Sequence, residues 1–204
     1  LSKFLGPIHL WMDQKIGRQE ELTRDLAAKA KELGWTEMTE DLFAACVRQE
    51  ETSPLEERID LQNIHGWLQG SIHDAEARYA KLVTTLMAVD PARIEVMKNV
   101  AYAFGARHAS GGSATAFDVY HDLDGTFLSG MPCDHVNTVT IQEEDHFAWD
   151  EEEDLHSAYW QQTGGDPANY FLLRSAAMQG LVERAGFALT VGDHHYEISR
   201  LRAR

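Results

Sequence analysis

The sequence predicts an α+β protein: a helical N-terminal half, then a small, mostly antiparallel sheet with two further helices. Three observations carry this expectation. Up to about residue 110, apolar residues recur at helical spacing, interrupted only by helix starts and stops. Beyond residue 111, runs rich in β-branched residues appear, such as "TAFDVYH" and "HVNTVTIQ". The last segment, "FALTVGDHHYEISR", reads as two strands around a Gly192-Asp193 turn. The chain therefore divides into a helical region, 1–110, and an α+β region, 111–204, expected to form one compact unit. Its 204 residues suffice for one sizeable core, or for one core with a helical part appended.

Taken in order, "RQEELTRDLAAKAKELG" is a helix closed by Gly34, and "TEDLFAACVRQE" is a shorter one with Cys46 in its core pattern. Three further helix starts share one grammar, Ser53-Pro54, Asp90-Pro91 and Asp166-Pro167. Each sets a capping side chain before a proline at the first helical position, where a missing N–H costs nothing. From Ser53, the series Leu61, Ile64, Leu68, Ile72, Ala75, Tyr79, Leu82, Leu86 predicts a long core-facing helix, kinked near Gly66 or Gly70. "PARIEVMKNVAYAFGARHA" follows and stops at Gly111-Gly112. In the second half, "WDEEEDLHSAYWQQTGG" and "PANYFLLRSAAMQGLVERAG" predict two helices with glycine stops. The acids of the first suit the positive end of a helix dipole. There is no internal repeat, and the longest linker is "HASGGSA".

The net charge of −15 is unevenly placed: no Lys or Arg occurs between Arg107 and Arg174, a stretch that carries acids from Asp118 to Asp166. Such a surface repels phosphate backbones, so nucleic-acid binding is disfavoured, and cations or a basic protein are the compatible partners. A solubilising acidic face is the simpler reading. No uncharged stretch approaches the roughly 20 apolar residues of a membrane helix, so no membrane association is expected. "FLGPIHLWM" is broken by Pro7 and His9 and lacks a small-residue cleavage site, which argues against a signal peptide. Cys46 and Cys133 are too few for a disulfide framework; the expected compartment is the reducing cytoplasm.

Among candidate sites, "HDLDGTFLSG" resembles motif I of the haloacid dehalogenase-like phosphatases. The resemblance implies Asp122 as a phosphoryl-accepting nucleophile, Asp124 as acid/base, and Mg²⁺ bridging carboxylate and phosphate. "VGDHHYE" is similar to part of that family's metal segment, with Asp193 and Glu197 as candidates. No lysine follows Lys98, so Arg174 or Arg184 would have to neutralise the phosphate. Read from its residues alone, Asp-Gly between β-rich runs is a hairpin signal, and a hairpin turn is the expectation here. A calcium loop ending at Gly125 is excluded, because its first ligand would fall on Tyr120 and its bidentate glutamate on Met131.

Two ExxH tetrads, Glu143 with His146 and Glu153 with His156, lie ten residues apart. On one helix that is about 15 Å along the axis, so they cannot share a metal, although Glu153 and His156 alone supply two ligands at i, i+3. In "MPCDHVN", an extended chain after Pro132 puts Cys133 and His135 on one face. A thiol beside an imidazole can form a nucleophile–base pair or two ligands of Zn²⁺ or Fe²⁺, with His121 and His156 contributing. Gln62, His65, Gln69, His73 and Glu76 form a second polar row on the long helix, read chiefly as a solvated boundary. His194 and His195 are too isolated to interpret.

The expected function is a small-molecule enzyme, hydrolase or lyase-like, with its site near residues 121–135. Cys133, His135, Asp122 and Asp124 are the candidate catalytic residues. His121, Cys133, His135, Glu153 and His156 are candidate ligands of a divalent metal (Zn, Fe or Mg). The alternatives are a non-catalytic small-molecule-binding or sensing domain, an acidic accessory subunit docking on a basic protein, and a Mg-dependent phosphatase through "DLDGT". A homo-oligomer is compatible with all of them.

Overall fold

The computed structural model describes residues 5–111 and 115–201, so residues 112–114 of the expected linker, including the second glycine of its pair, lie outside the described residues. The first helix, α1, spans Pro7–Glu32. Pro7 occupies its first position and His9 Nδ1 accepts the Gly6 N–H at 3.0 Å. Its buried stripe includes Met12, Ile16, Leu22, Leu26 and Ala30. The chain turns off at Gly34, whose φ of +67° lies in the left-handed region that favours glycine. Helix α2, Glu40–Cys46, is capped by Thr39, which accepts the Leu42 N–H at 3.1 Å, and its Cys46 is fully buried as expected.

The long helix expected from Ser53 is two elements, α3 (Leu55–Arg58) and α4 (Ile64–Met87). Between them the Asp60 carboxylate accepts the Gln62 N–H at 2.9 Å, and Asn63 Oδ1 accepts the Gly66 N–H at 3.1 Å. These short polar side chains bind backbone locally and start a new helix, although the apolar spacing runs on across the break. Helix α5, Arg93–Arg107, follows a turn in which Asp90 accepts the Ala92 N–H.

Two expectations fail in the second half. "TAFDVYH" is no strand: it opens helix α6, Ala116–Thr126, and "HDLDGT" forms the end of that helix rather than a hairpin turn. Thr115 Oγ1 accepts the Asp118 N–H at 3.2 Å, while the Asp118 carboxylate accepts the Thr115 N–H at 2.9 Å. This reciprocal cap, with Ala116, Val119 and Leu123 buried along one stripe, outweighs the local β propensity. Likewise "WDEEEDL" is not helical. Trp149–Glu151 ends strand β2, and the Asp154 carboxylate accepts the His156 and Ser157 N–H groups just ahead of a six-residue helix, α7 (Ser157–Gln162).

The remaining elements are a 3-10 turn (Pro132–Asp134), strands β1 (Asn137–Gln142) and β2 (His146–Glu151), helix α8 (Ala168–Arg184), and strands β3 (Phe187–Val191) and β4 (His195–Arg200). The four strands form one antiparallel sheet in the order β1-β2-β4-β3. The β3–β4 hairpin turns at Gly192-Asp193, with the Gly192 N–H donating to the His195 carbonyl. No described helix is long and apolar enough to cross a membrane.

Helix α8 serves two cores. Tyr170, Leu173 and Ala177 pack with Leu82, Leu86 and Phe104 among the helices, whereas Met178, Leu181 and Val182 pack beneath Phe147, Trp149 and Ile198 of the sheet. Its approach to α5 is backbone against backbone. A Cβ on Gly105 would stand 1.7 Å from the Ala177 carbonyl oxygen, and one on Gly180 would stand 2.0 Å from that of Tyr102. Gly17 and Gly70, inside α1 and α4, have nothing within 4 Å. Gly105→Ala and Gly180→Ala are therefore expected to cost at least about 1–3 kcal/mol each. Gly17→Ala and Gly70→Ala should stabilise the fold by about 0.5–1 kcal/mol. Urea denaturation of the four variants checks this, and a neutral Gly180→Ala would contradict the contact.

Candidate functional site

Charged residues set on apolar helix stripes mark the places where this fold does something other than pack. Four helical charges are at most 7% exposed: Lys15 and Glu20 on α1, Glu76 on α4 and Arg174 on α8, of which Glu20 is held by Arg78. Charges are almost never buried without a partner, because the low-dielectric interior does not replace lost hydration.

Arg174 is matched closely. Its Nη1 donates to both oxygens of Glu151, at 2.7 and 2.8 Å, and Tyr196 donates its hydroxyl to Glu151 Oε2 at 3.0 Å. Burial, reinforced by the neighbouring Glu151 charge and opposed by Arg174, pushes the Tyr196 phenol up to about 12. The phenol therefore stays protonated and keeps donating. This buried group ties α8 to β2 and β4.

Lys15 is matched loosely. Its Nζ lies 3.4 Å from Asp124 Oδ1, long for a charge-assisted bond, and 4.2 Å from the centre of the Trp11 ring. Asp124 itself keeps about a third of its side chain exposed. Burial lowers the Lys15 amine below its ordinary value of 10.5, and the Arg174 charge adds to this while Asp124 opposes it.

Lys15 helps to line a cleft of about 220 Å³ between α1, α6, the 3-10 turn and the start of β1. Its walls include Trp11, Tyr120, Asp124, His135 and Asn137. Beneath it, a chamber of about 20 Å³ is bordered by Arg174 and Trp149. Tyr120, Asp124, Ser129 and Asn137 line both spaces. Two buried polar atoms of the chamber's lining residues, Arg174 Nε and Asn137 Oδ1, have no hydrogen-bond partner among the described residues. The Asn137 amide reaches the Tyr120 hydroxyl at 3.5 Å. A protonatable amine, a carboxylate, a phenol and an amide thus face one small space.

The residues singled out from the sequence separate. Asp124 and His135 line the cleft. Asp122, two positions away on α6, instead accepts the Ser110 N–H and hydroxyl at 2.9 and 2.7 Å. Residues i and i+2 of a helix point apart, so Asp122 and Asp124 do not share a substrate as the phosphatase resemblance implies. Pro132–Asp134 is a 3-10 turn and His135 is left-handed (φ 50°), so the extended geometry expected to align Cys133 with His135 is absent. Cys133 is exposed, its Sγ 3.9 Å from Asp134 Oδ1. His121 is exposed on α6, and Glu153 is exposed in the loop before α7 rather than on a helix with His156. Among the described residues no three His, Cys, Asp or Glu side chains are placed to hold a metal ion.

His156 is buried, and its partner is Glu76, which the polar row of the long helix leads one to expect at a solvated boundary. Its Nδ1 lies 3.1 Å from Glu76 Oε1 and its Nε2 lies 2.9 Å from the Tyr170 hydroxyl, with the two rings stacked. This Glu–His–Tyr chain fastens α4 to α8. On the opposite, solvent face of the sheet, His195 sits between Asp150 (2.5 Å) and Glu197 (3.1 Å), with His146 3.4 Å from Glu197. Cross-strand pairing of Asp150 with His195 places these groups together, a register that the sequence alone does not show. A larger groove of about 530 Å³ between α1 and α4 is rich in arginine, but Arg18, Arg58 and Arg78 there already hold Glu21, Asp13 and Glu20.

Two outcomes follow from these electrostatics. The folded state disfavours the Lys15 ammonium, so between its lowered folded pKa and 10.5 the unfolded chain binds the proton more tightly. Wild-type stability contributed by this group is thus complete above 10.5 and is lost as pH falls through the folded value. Lys15→Met is expected to be about 1 kcal/mol more stable than wild type at pH 7, with the gap closing as pH approaches 10.5. Chemical denaturation at several pH values measures this. His195 should titrate above an ordinary imidazole, since the hydrogen bonds it donates to Asp150 and then Glu197 favour its cation. Histidine NMR titration should show Asp150→Asn bringing it back down; an unchanged value would contradict the contact. Compared with known proteins, the chain matches no protein family, no curated protein and no solved structure.

Proposed function

We propose that the protein binds a small polar molecule in the cleft at Lys15. The observation that carries this reading is a nearly buried lysine in the lining of an open cleft, with its carboxylate partner at the long distance of 3.4 Å. An ion pair serving stability alone gains by closing to about 2.8 Å and excluding solvent. A binding site gains by leaving donor and acceptor capacity for its ligand. At about 220 Å³ the cleft suits a molecule of metabolite size, smaller than drug-like ligands, whose pockets span about 300–1,000 Å³. Lys15 and Asn137 offer donors, and Asp124 and the Asn137 carbonyl offer acceptors, so a ligand with both kinds of group fits. The exposed Cys133 and the left-handed His135 give the thiol–imidazole enzyme less support than this binding reading.

The test is a panel of small amides, alcohols and carboxylates, screened by thermal shift and by tryptophan fluorescence that Trp11→Phe removes. A ligand that raises the melting temperature should bind at least about tenfold more weakly to Lys15→Met, the loss of one charge-assisted hydrogen bond. Ser129→Trp, which fills the cleft, should abolish binding. A ligand indifferent to both variants would place the site elsewhere.

A further inference from the structure

The geometry points to Lys15 as a covalent carbonyl trap: its amine forms an imine with a small uncharged aldehyde held in the cleft, and Asp124 relays the protons. The inference rests on the reading of the cleft as a ligand site and names the chemistry of its ligand.

Imine formation needs a neutral amine, an approach path for the carbonyl carbon, and a group that moves protons between nitrogen and oxygen. Lys15 combines all three. Lys15 is part of the lining of the open cleft, with 3% of its side chain exposed. One side of its Nζ is screened by the Trp11 ring at 4.2 Å. The Asp124 carboxylate stands 3.4 Å away, near enough to exchange a proton and too far to lock the ammonium in place. Burial and the nearby Arg174 charge favour the unprotonated amine, as in lysines that act as nucleophiles.

In the step itself, the nitrogen lone pair attacks the carbonyl carbon, a C–N bond forms, and the carbonyl π pair moves to oxygen. Asp124 takes the proton released from nitrogen and delivers it to that oxygen, giving a carbinolamine. A second proton, from solvent, lets the oxygen leave as water while the nitrogen lone pair forms the C=N bond. Nothing is oxidised or reduced, and one water is released per carbonyl captured. The resulting iminium is a cation beside Asp124, whose negative charge stabilises it.

The charge balance selects the ligand class. With Lys15 neutral, Arg174 stands against Asp124 and Glu151, a local excess of one negative charge. An oxo acid would carry a further negative charge into that space, whereas an uncharged aldehyde would not.

The experiment incubates the full chain at pH 7 with propanal and sodium cyanoborohydride, which reduces an imine to a stable secondary amine, and maps the added mass by peptide. Lys15 should be modified about tenfold faster than Lys29 or Lys98, because burial leaves a larger share of its amine unprotonated. Asp124→Asn should slow this labelling while surface lysines are unaffected. Glyoxylate should label Lys15 more slowly than propanal. Lys15→Arg, which keeps a cation in the cleft, should lose the fast site and retain the fold by circular dichroism. Labelling of Lys15 no faster than the surface lysines overturns the proposal. If propanamide, which cannot form an imine, still shifts the Trp11 fluorescence in that case, the cleft remains a binding site; if it does not, the binding reading falls as well. Faster labelling by glyoxylate overturns the uncharged class.

Discussion

The close approach of α5 and α8 is the constraint on which the two halves of this protein depend. Gly105 and Gly180 let two helix backbones meet where any side chain would collide with a carbonyl oxygen. Close-packed interiors transmit such a contact, because neighbours have no free volume into which to retreat. Helix α8, held on α5, presents its next apolar residues to the sheet and its Arg174 to Glu151. The sheet is thereby fixed relative to the helical half. The cleft, whose walls come from α1, α6 and β1, inherits its shape from that arrangement.

Three buried charges illustrate three different solutions to one electrostatic problem. Arg174 is fully occupied on one nitrogen by a carboxylate that also receives a phenol, and it acts as a structural tie. Glu76 meets an imidazole, which in turn meets a phenol, and the chain spans two helices. Lys15 has neither arrangement. Its carboxylate partner stands at 3.4 Å with about a third of its side chain exposed, and Lys15 helps to line an open cleft.

The acid-rich stretch between Arg107 and Arg174 also resolves into local roles. Asp118 and Asp154 cap helix starts, Asp134 accepts the Met131 N–H, Asp122 holds Ser110, and Glu151 holds Arg174. Short carboxylates bind backbone donors readily, and a loop-rich region offers many of them. Much of the negative charge that looked like a docking surface is therefore committed within the fold, although Glu143, Glu144, Glu152 and Glu153 remain exposed.

By itself the sequence determined the α+β class, the order of helical half and sheet, the glycine stop at Gly34, the burial of Cys46 and the final hairpin, because each follows from periodicity or turn chemistry within a few residues. Local rules failed where two of them competed. Helix α6 won over a β-rich composition through its Thr115–Asp118 cap, and Asp60 and Asn63 broke a helix that the apolar spacing would have continued. The candidate site was legible only in its location: Asp124 and His135 from the 121–135 region do line the cleft. Its central residue, Lys15, lies more than a hundred positions earlier, and the one sequence signal was a lysine on the buried stripe between Met12 and Ile16. Only the tertiary structure decided which charges met. Pairing at a distance depends on how α8 seats on α5 and the sheet, and that geometry belongs to packing rather than to any local run of residues.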